Sequence, residues 1–120
     1  RLKKLSEITE LIDFFFVENL QYQKELLSWK ETGDSEILLN LDKVVSTLSN
    51  IKEQEWNKEK ITQAIMPIAN EAKDRGKVLW PMRVALSGKK ASAGPFEIAE
   101  VLGKEKTIQR INQAIALYEK

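Results

Sequence analysis

Between Arg83 and Pro95 the chain gathers groups suited to a negatively charged or flat polar ligand. Arg83 brings a planar fork of N–H donors that can hydrogen-bond and stack at once. Lys89 and Lys90 are compact point charges, and Ser92 adds a hydroxyl. Gly94-Pro95 reads as the start of a helix, where free N–H groups attract anions. On a helical wheel Arg83 lies about 100° from Met82 and shares an edge with Ser87. It should therefore point off the core, towards the loop. Taken alone, the same string also fits a solvated loop with an incidental arginine.

Two short helices must hold these groups. Pro81 suits a helical first turn, where its missing N–H is not needed. Met82, Ala85 and Leu86 then fall at i, i+3 and i+4 and form one apolar stripe. Gly88 should stop that helix in the left-handed conformation. After a loop over 89–93, Gly94-Pro95 opens a second helix with Phe96, Ala99 and Leu102 inward, and Gly103 closes it.

The whole string resembles the C-terminal anticodon-binding domain of bacterial-type glutamyl-tRNA synthetases. Pro81-Met82-Arg83-Val84-Ala85-Leu86-Ser87-Gly88 matches that family's P-L-R-x-A-L/V-T-G segment. Leu102-Gly103-Lys104-Glu105 with Arg110-Ile111 matches its L-G-K-E-x-x-x-x-R-I/L ending. The likeness extends over essentially the whole chain. It implies that Arg83, Ser92 and Pro95 contact the first two anticodon bases. An R-x-x-x-L-x-E motif is matched by Arg1, Leu5 and Glu7, which implies that Arg1 reads the third base. Lys89 and Lys90 would take phosphate. The family often has threonine, proline and leucine where this chain has Ser92, Ala93 and Pro95. Serine keeps the hydroxyl, whereas Pro95 offers no backbone N–H. Glu97 would repel a phosphate at that helix start, which favours base contacts there.

Composition sets outer limits. At 120 residues, with 42% apolar and 31% charged residues, the chain is long enough for one ordinary domain with a core. It contains no cysteine and no histidine, so disulfides, thiolate metal sites and histidine-based catalysis are excluded. No apolar run approaches the roughly 20 residues of a membrane span. Neither a Walker-type nor a dinucleotide glycine motif occurs. The H-I-G-H-like and K-M-S-K-S-like strings of class I synthetases are also missing. The segment is thus expected to be non-catalytic. The resemblance places ATP and Mg2+ in a full-length enzyme and no cofactor on this part.

Net charge is only +1, but it is unevenly spread. Residues 1–60 hold nine bases against twelve acids, and residues 61–120 hold ten against six. From Lys73 to Lys90 there are six bases and one acid, Asp74. A local basic patch on a near-neutral domain suits a modest polyanion contact. It equally suits surface lysines that keep the chain soluble.

In chain order, Ser6 can cap a helix whose stripe is Leu5, Ile8, Ile12 and Phe15/Phe16, and the aromatics Phe14–Phe16 read as core. A second, shorter helical piece is expected over 18–32, with Leu26, Leu27 and Trp29 for packing. Gly33 breaks it, and Asp34 or Ser35 caps a helix with Ile37, Leu41, Val44/Val45, Leu48 and Ile51 inward. Asn57 reads as the cap of the next helix, with Trp56 and Ile61 as a hydrophobic staple. Pro67 lies inside that helix and should cost about 3 kcal/mol or more, with a bend. Gly76 is expected to end it. The last helix starts near Lys104, with Ile108, Ile111, Ile115 and Tyr118 inward.

The fold expected is all-α, a multi-helix bundle or cage of six to seven helices. Residues 1–56 form a subdomain leading in from a preceding part, and residues 57–120 form the anticodon-reading subdomain. The expected partner is a glutamate-accepting tRNA, with no membrane contact, a monomeric state and a cytoplasmic location. The alternative is a helical protein-interaction module whose basic patch meets an acidic partner.

Overall fold

Ile37, Leu41, Val44 and Leu48 recur at helical spacing, and none has any exposed surface. They form the inward stripe of helix α1, Asp34–Ser49. A computed structural model describes residues 22–30, 32–72, 74–88 and 94–118. The first helix and the aromatics expected over 5–16 lie outside the described residues. Four more α-helices follow: α2 Lys58–Glu71, α3 Gly76–Ser87, α4 Pro95–Leu102 and α5 Lys104–Leu117. Two single 3-10 turns, Lys24–Leu27 and Glu53–Glu55, complete the described elements, among which there is no strand. One apolar cluster joins them, running from Leu27 through α1, α2, α3 and α4 to Ala114 of α5.

Capping follows the sequence in two places. The Asn57 side chain accepts the Lys60 N–H at 2.8 Å and so starts α2. Gly88 takes φ 76° and ψ 8° and returns its N–H to the Val84 carbonyl, which closes α3. The start of α1 departs from expectation, since Gly33 itself is the extended cap residue and Asp34 is already helical.

Three boundaries need correction. Over residues 22–30 the expected helix reduces to one 3-10 turn. Ser28 is extended and Lys30 sits at φ 53°, so the chain leaves the helical region at once. Gly76 does not end α2, which stops at Glu71 with Ala72 as its cap. Gly76 is instead the first residue of α3, and a Cβ built there would overlap the Trp29 ring. The glycine is required by that close approach.

Pro81, expected in a first turn, lies in the middle of α3. Its ring removes the N–H that would have bonded the Lys77 carbonyl four residues earlier. Asn40 of α1 supplies the missing donor: its Nδ2 lies 3.1 Å from the Lys77 oxygen, and the residue is buried. Pro67 is treated differently. It and Gln63, whose carbonyl it leaves free, are both exposed, so water can serve that oxygen, and α2 runs through without interruption.

Asn40→Ala leaves the half-buried Lys77 carbonyl without this donor and should destabilise the fold by about 1–2 kcal/mol. In a Pro81→Ala background, where the backbone N–H returns, that penalty should shrink. Urea unfolding of the four chains of this double-mutant cycle measures the coupling.

Candidate functional site

Helix α3 is enclosed on nearly every side. From Pro81 to Ser87 every residue is buried except Arg83. Met82, Val84, Ala85 and Leu86 have no exposed surface, as the stripe of Met82, Ala85 and Leu86 required. Arg83 therefore reaches the surface because its neighbours cannot. Its place off the core agrees with the helical wheel.

Each end of α3 is held by a local contact and tied to a side chain distant in sequence. At the start, Asp74 accepts the Gly76 N–H at 3.0 Å, the Trp29 indole N–H at 3.1 Å and the Lys30 ammonium at 3.4 Å. These donors, the indole first, hold its carboxyl below the ordinary carboxylate range. At the end, the Ser87 hydroxyl donates to the Arg83 carbonyl at 2.8 Å. Arg110 of α5, only 1% exposed, donates Nη1 to the Leu86 carbonyl at 2.6 Å.

A shallow groove lined by Trp29, Gly76, Leu79, Trp80 and Arg83 runs beside the arginine. The two indoles stand 5.5 Å apart, tilted by 39°. The Trp80 N–H donates to the Leu26 carbonyl at 3.0 Å, so the half-buried ring serves packing first. A larger pocket lies at the junction of α4 and α5, lined by Glu53, Trp56, the stretch 102–106 and Gln109, with no residue of α3.

Across the loop, Gly94 is the extended cap and Pro95 the first residue of α4, as the sequence indicated. Pro95 itself is buried. Glu97 in the same turn faces Lys58 of α2, whose Nζ lies 3.3 Å from Oε1. Of the six predicted contact residues, Arg83 and Pro95 are therefore placed, on helices that flank the loop on either side. Arg1, Lys89, Lys90 and Ser92 lie outside the described residues. Among the described residues no cluster of three metal-ligating side chains occurs, and no helix is long and apolar enough to cross a membrane.

The family described as the anticodon binding domain matches residues 1–115. This chain belongs to that family. It is 42% identical over 119 residues to the glutamate–tRNA ligase of Clostridium tetani, covering 96% of this chain and 24% of the ligase. With the Clostridium acetobutylicum glutamate–tRNA ligase it shares 39% identity over 127 residues, covering all of this chain and 25% of that one. A crystal structure of a glutamate tRNA ligase from Elizabethkingia meningosepticum, in complex with its amino acid, superposes with a TM-score of 0.71. That match has 26% identity and covers 92% of this chain and 21% of the other. The chain thus spans about a quarter of the length of the ligases it matches. For this member of the anticodon-binding family, the predicted all-α class holds.

Sequence reading missed three side chains that shape the site: Asn40, Asp74 and Arg110. Two of them left a signal. Asn40 falls on the inward register of Ile37, Leu41 and Val44, and Arg110 on that of Thr107, Ile111 and Ala114. A polar residue in an apolar stripe demands a buried partner.

Because the Asp74 pKa is lowered in the folded state, its stabilising effect is complete above the unfolded carboxylate value of about 3.9. It is lost as pH falls through the lower, folded value. Asp74→Asn should therefore flatten the acid limb of the stability curve, read from urea midpoints between about pH 5 and about pH 2. An unchanged acid limb would show that the carboxylate does not hold the start of α3.

Proposed function

We propose that this chain reads the anticodon loop of a glutamate-accepting tRNA, as the anticodon-binding part of a glutamate–tRNA ligase. The observation that carries the reading is Arg83, the one side chain from Pro81 to Ser87 that reaches the surface. It stands one turn before the Gly88 bend, beside two indoles. Unpaired loop bases are recognised by planar groups that stack and by donors that reach base edges. A guanidinium does both.

In this reading Arg83 and Ser92 contact the first two anticodon bases and Arg1 the third, while Lys89 and Lys90 hold phosphate. Pro95, being buried, would act by shaping the floor on which a base rests. Residues 57–120 do the reading, and residues 1–56 lead in from the remainder of the enzyme. ATP and Mg2+ would serve the ligase's catalytic part, in the cytoplasm. No single observation favours the alternative of a protein-interaction module.

A titration of the chain with an RNA hairpin carrying a glutamate anticodon tests this, against hairpins with the first or second base changed. Each wrong base should weaken binding by about 1–3 kcal/mol, the range of base-edge contacts elsewhere. Equal binding to every loop would leave only electrostatics. Arg83→Ala should remove most of the discrimination while helical circular dichroism stays unchanged. Lost helicity in that variant would mean the side chain supports the fold instead.

A further inference from the structure

The guanidinium of Arg110 lies in the interior, on a helix that carries none of the residues proposed to touch RNA. Withdrawing a cation from water is costly unless strong hydrogen bonds replace the hydration. Here Nη1 is placed 2.6 Å from the carbonyl of Leu86. Helix α3 ends one residue later at Ser87, so this oxygen belongs to the last turn, where carbonyls lack helical partners. A cation there also meets the negative end of the helix dipole.

Three carbonyls of that turn are held by three different donors. The Ser87 hydroxyl takes the Arg83 oxygen, the Gly88 N–H takes the Val84 oxygen at 2.6 Å, and Arg110 takes the Leu86 oxygen. The first two donors are local. Arg110 ties this turn to another helix, 24 residues away in sequence. Closing the carbonyl required only one donor, which water or a hydroxyl could provide. A rigid, charged fork adds direction, because its donors are fixed in one plane.

We infer that Arg110 is a positioning residue for RNA reading, fixing the last turn of α3 so that Arg83 presents a constant geometry to the anticodon loop. This rests on the reading proposed above. Arg110 touches no RNA. Its effect passes through the Leu86 carbonyl, and it governs the match between the site and the loop. Recognition of a particular base depends on sub-ångström placement of its donors, whereas non-specific phosphate attraction does not.

The test uses the 120-residue chain with Arg110→Met and Arg110→Lys, plus Ile65→Ala as a core truncation on a different helix, α2, that lowers stability. Binding is measured to the glutamate-anticodon hairpin and to one with its second base changed, at a temperature where circular dichroism shows each variant folded. Arg110→Met should cut the ratio of the two dissociation constants about tenfold, with binding to the mismatched hairpin changed less than about twofold. Arg110→Lys, which can reach the carbonyl but lacks the planar fork, should cut the ratio about threefold. Ile65→Ala should keep the wild-type ratio.

A wild-type ratio in folded Arg110→Met overturns the inference, as does an equal loss of ratio in Ile65→Ala. Should Arg110→Met not fold, Arg110→Lys decides, and a wild-type ratio there overturns it. Equal binding of both hairpins by the wild type defeats the anticodon reading itself, and this inference with it.

Discussion

A helix that is covered almost all round has little freedom to choose which residue it shows. That constraint on α3 governs the rest of the structure. Burial of Met82, Val84, Ala85 and Leu86 fixes the rotation of the helix about its axis. Asp74 holds its first turn, Gly88 closes it, and Arg110 joins its last turn to α5. Arg83 is left on the open side of the helix by these contacts. A helix held this way is pre-organised by the core, so little ordering of its backbone would be left to a binding step.

Much of this was legible in the sequence. The stripes of α1 and α3, the Asn57 cap, the Gly88 stop and the Gly94-Pro95 start all followed from local rules and reappear in the structure. Local rules failed where a distant partner decides. Pro81 looked like a helix start because a mid-helix proline is costly, and nothing nearby in sequence announces that Asn40 removes part of that cost. Gly76 looked like a stop because glycine commonly is one, yet the close approach of Trp29 decides its place. Segment 22–30 has apolar residues at helical spacing, but Leu27 and Trp80 draw it into tertiary contacts that a single 3-10 turn serves better. The site was legible in part: Arg83 could be placed on a wheel, whereas the residues that steady it were visible only as polar interruptions in apolar stripes.

Charge carries less of the argument than the run of bases between Lys73 and Lys90 suggested. Lys77 faces Glu36 at 3.3 Å, Lys30 faces Asp74 at 3.4 Å, and Nε of Arg75 lies 3.0 Å from the Asn70 side chain. Exposed pairs of this kind contribute little to stability, but they temper the field felt by a polyanion. A near-neutral surface with a few well-aimed groups suits a partner that is chosen by shape and base edges more than by bulk attraction.

The pair of indoles beside Arg83 has an optical consequence. Trp29 and Trp80 sit close enough to sense each other's excited states, and both line the groove that the arginine borders. The third tryptophan, Trp56, donates its N–H to the Ala99 carbonyl and lines the pocket between α4 and α5 instead. The molecule thus carries its own fluorophores beside Arg83, with a third indole elsewhere for reference, and emission from the groove can be followed without attaching a dye.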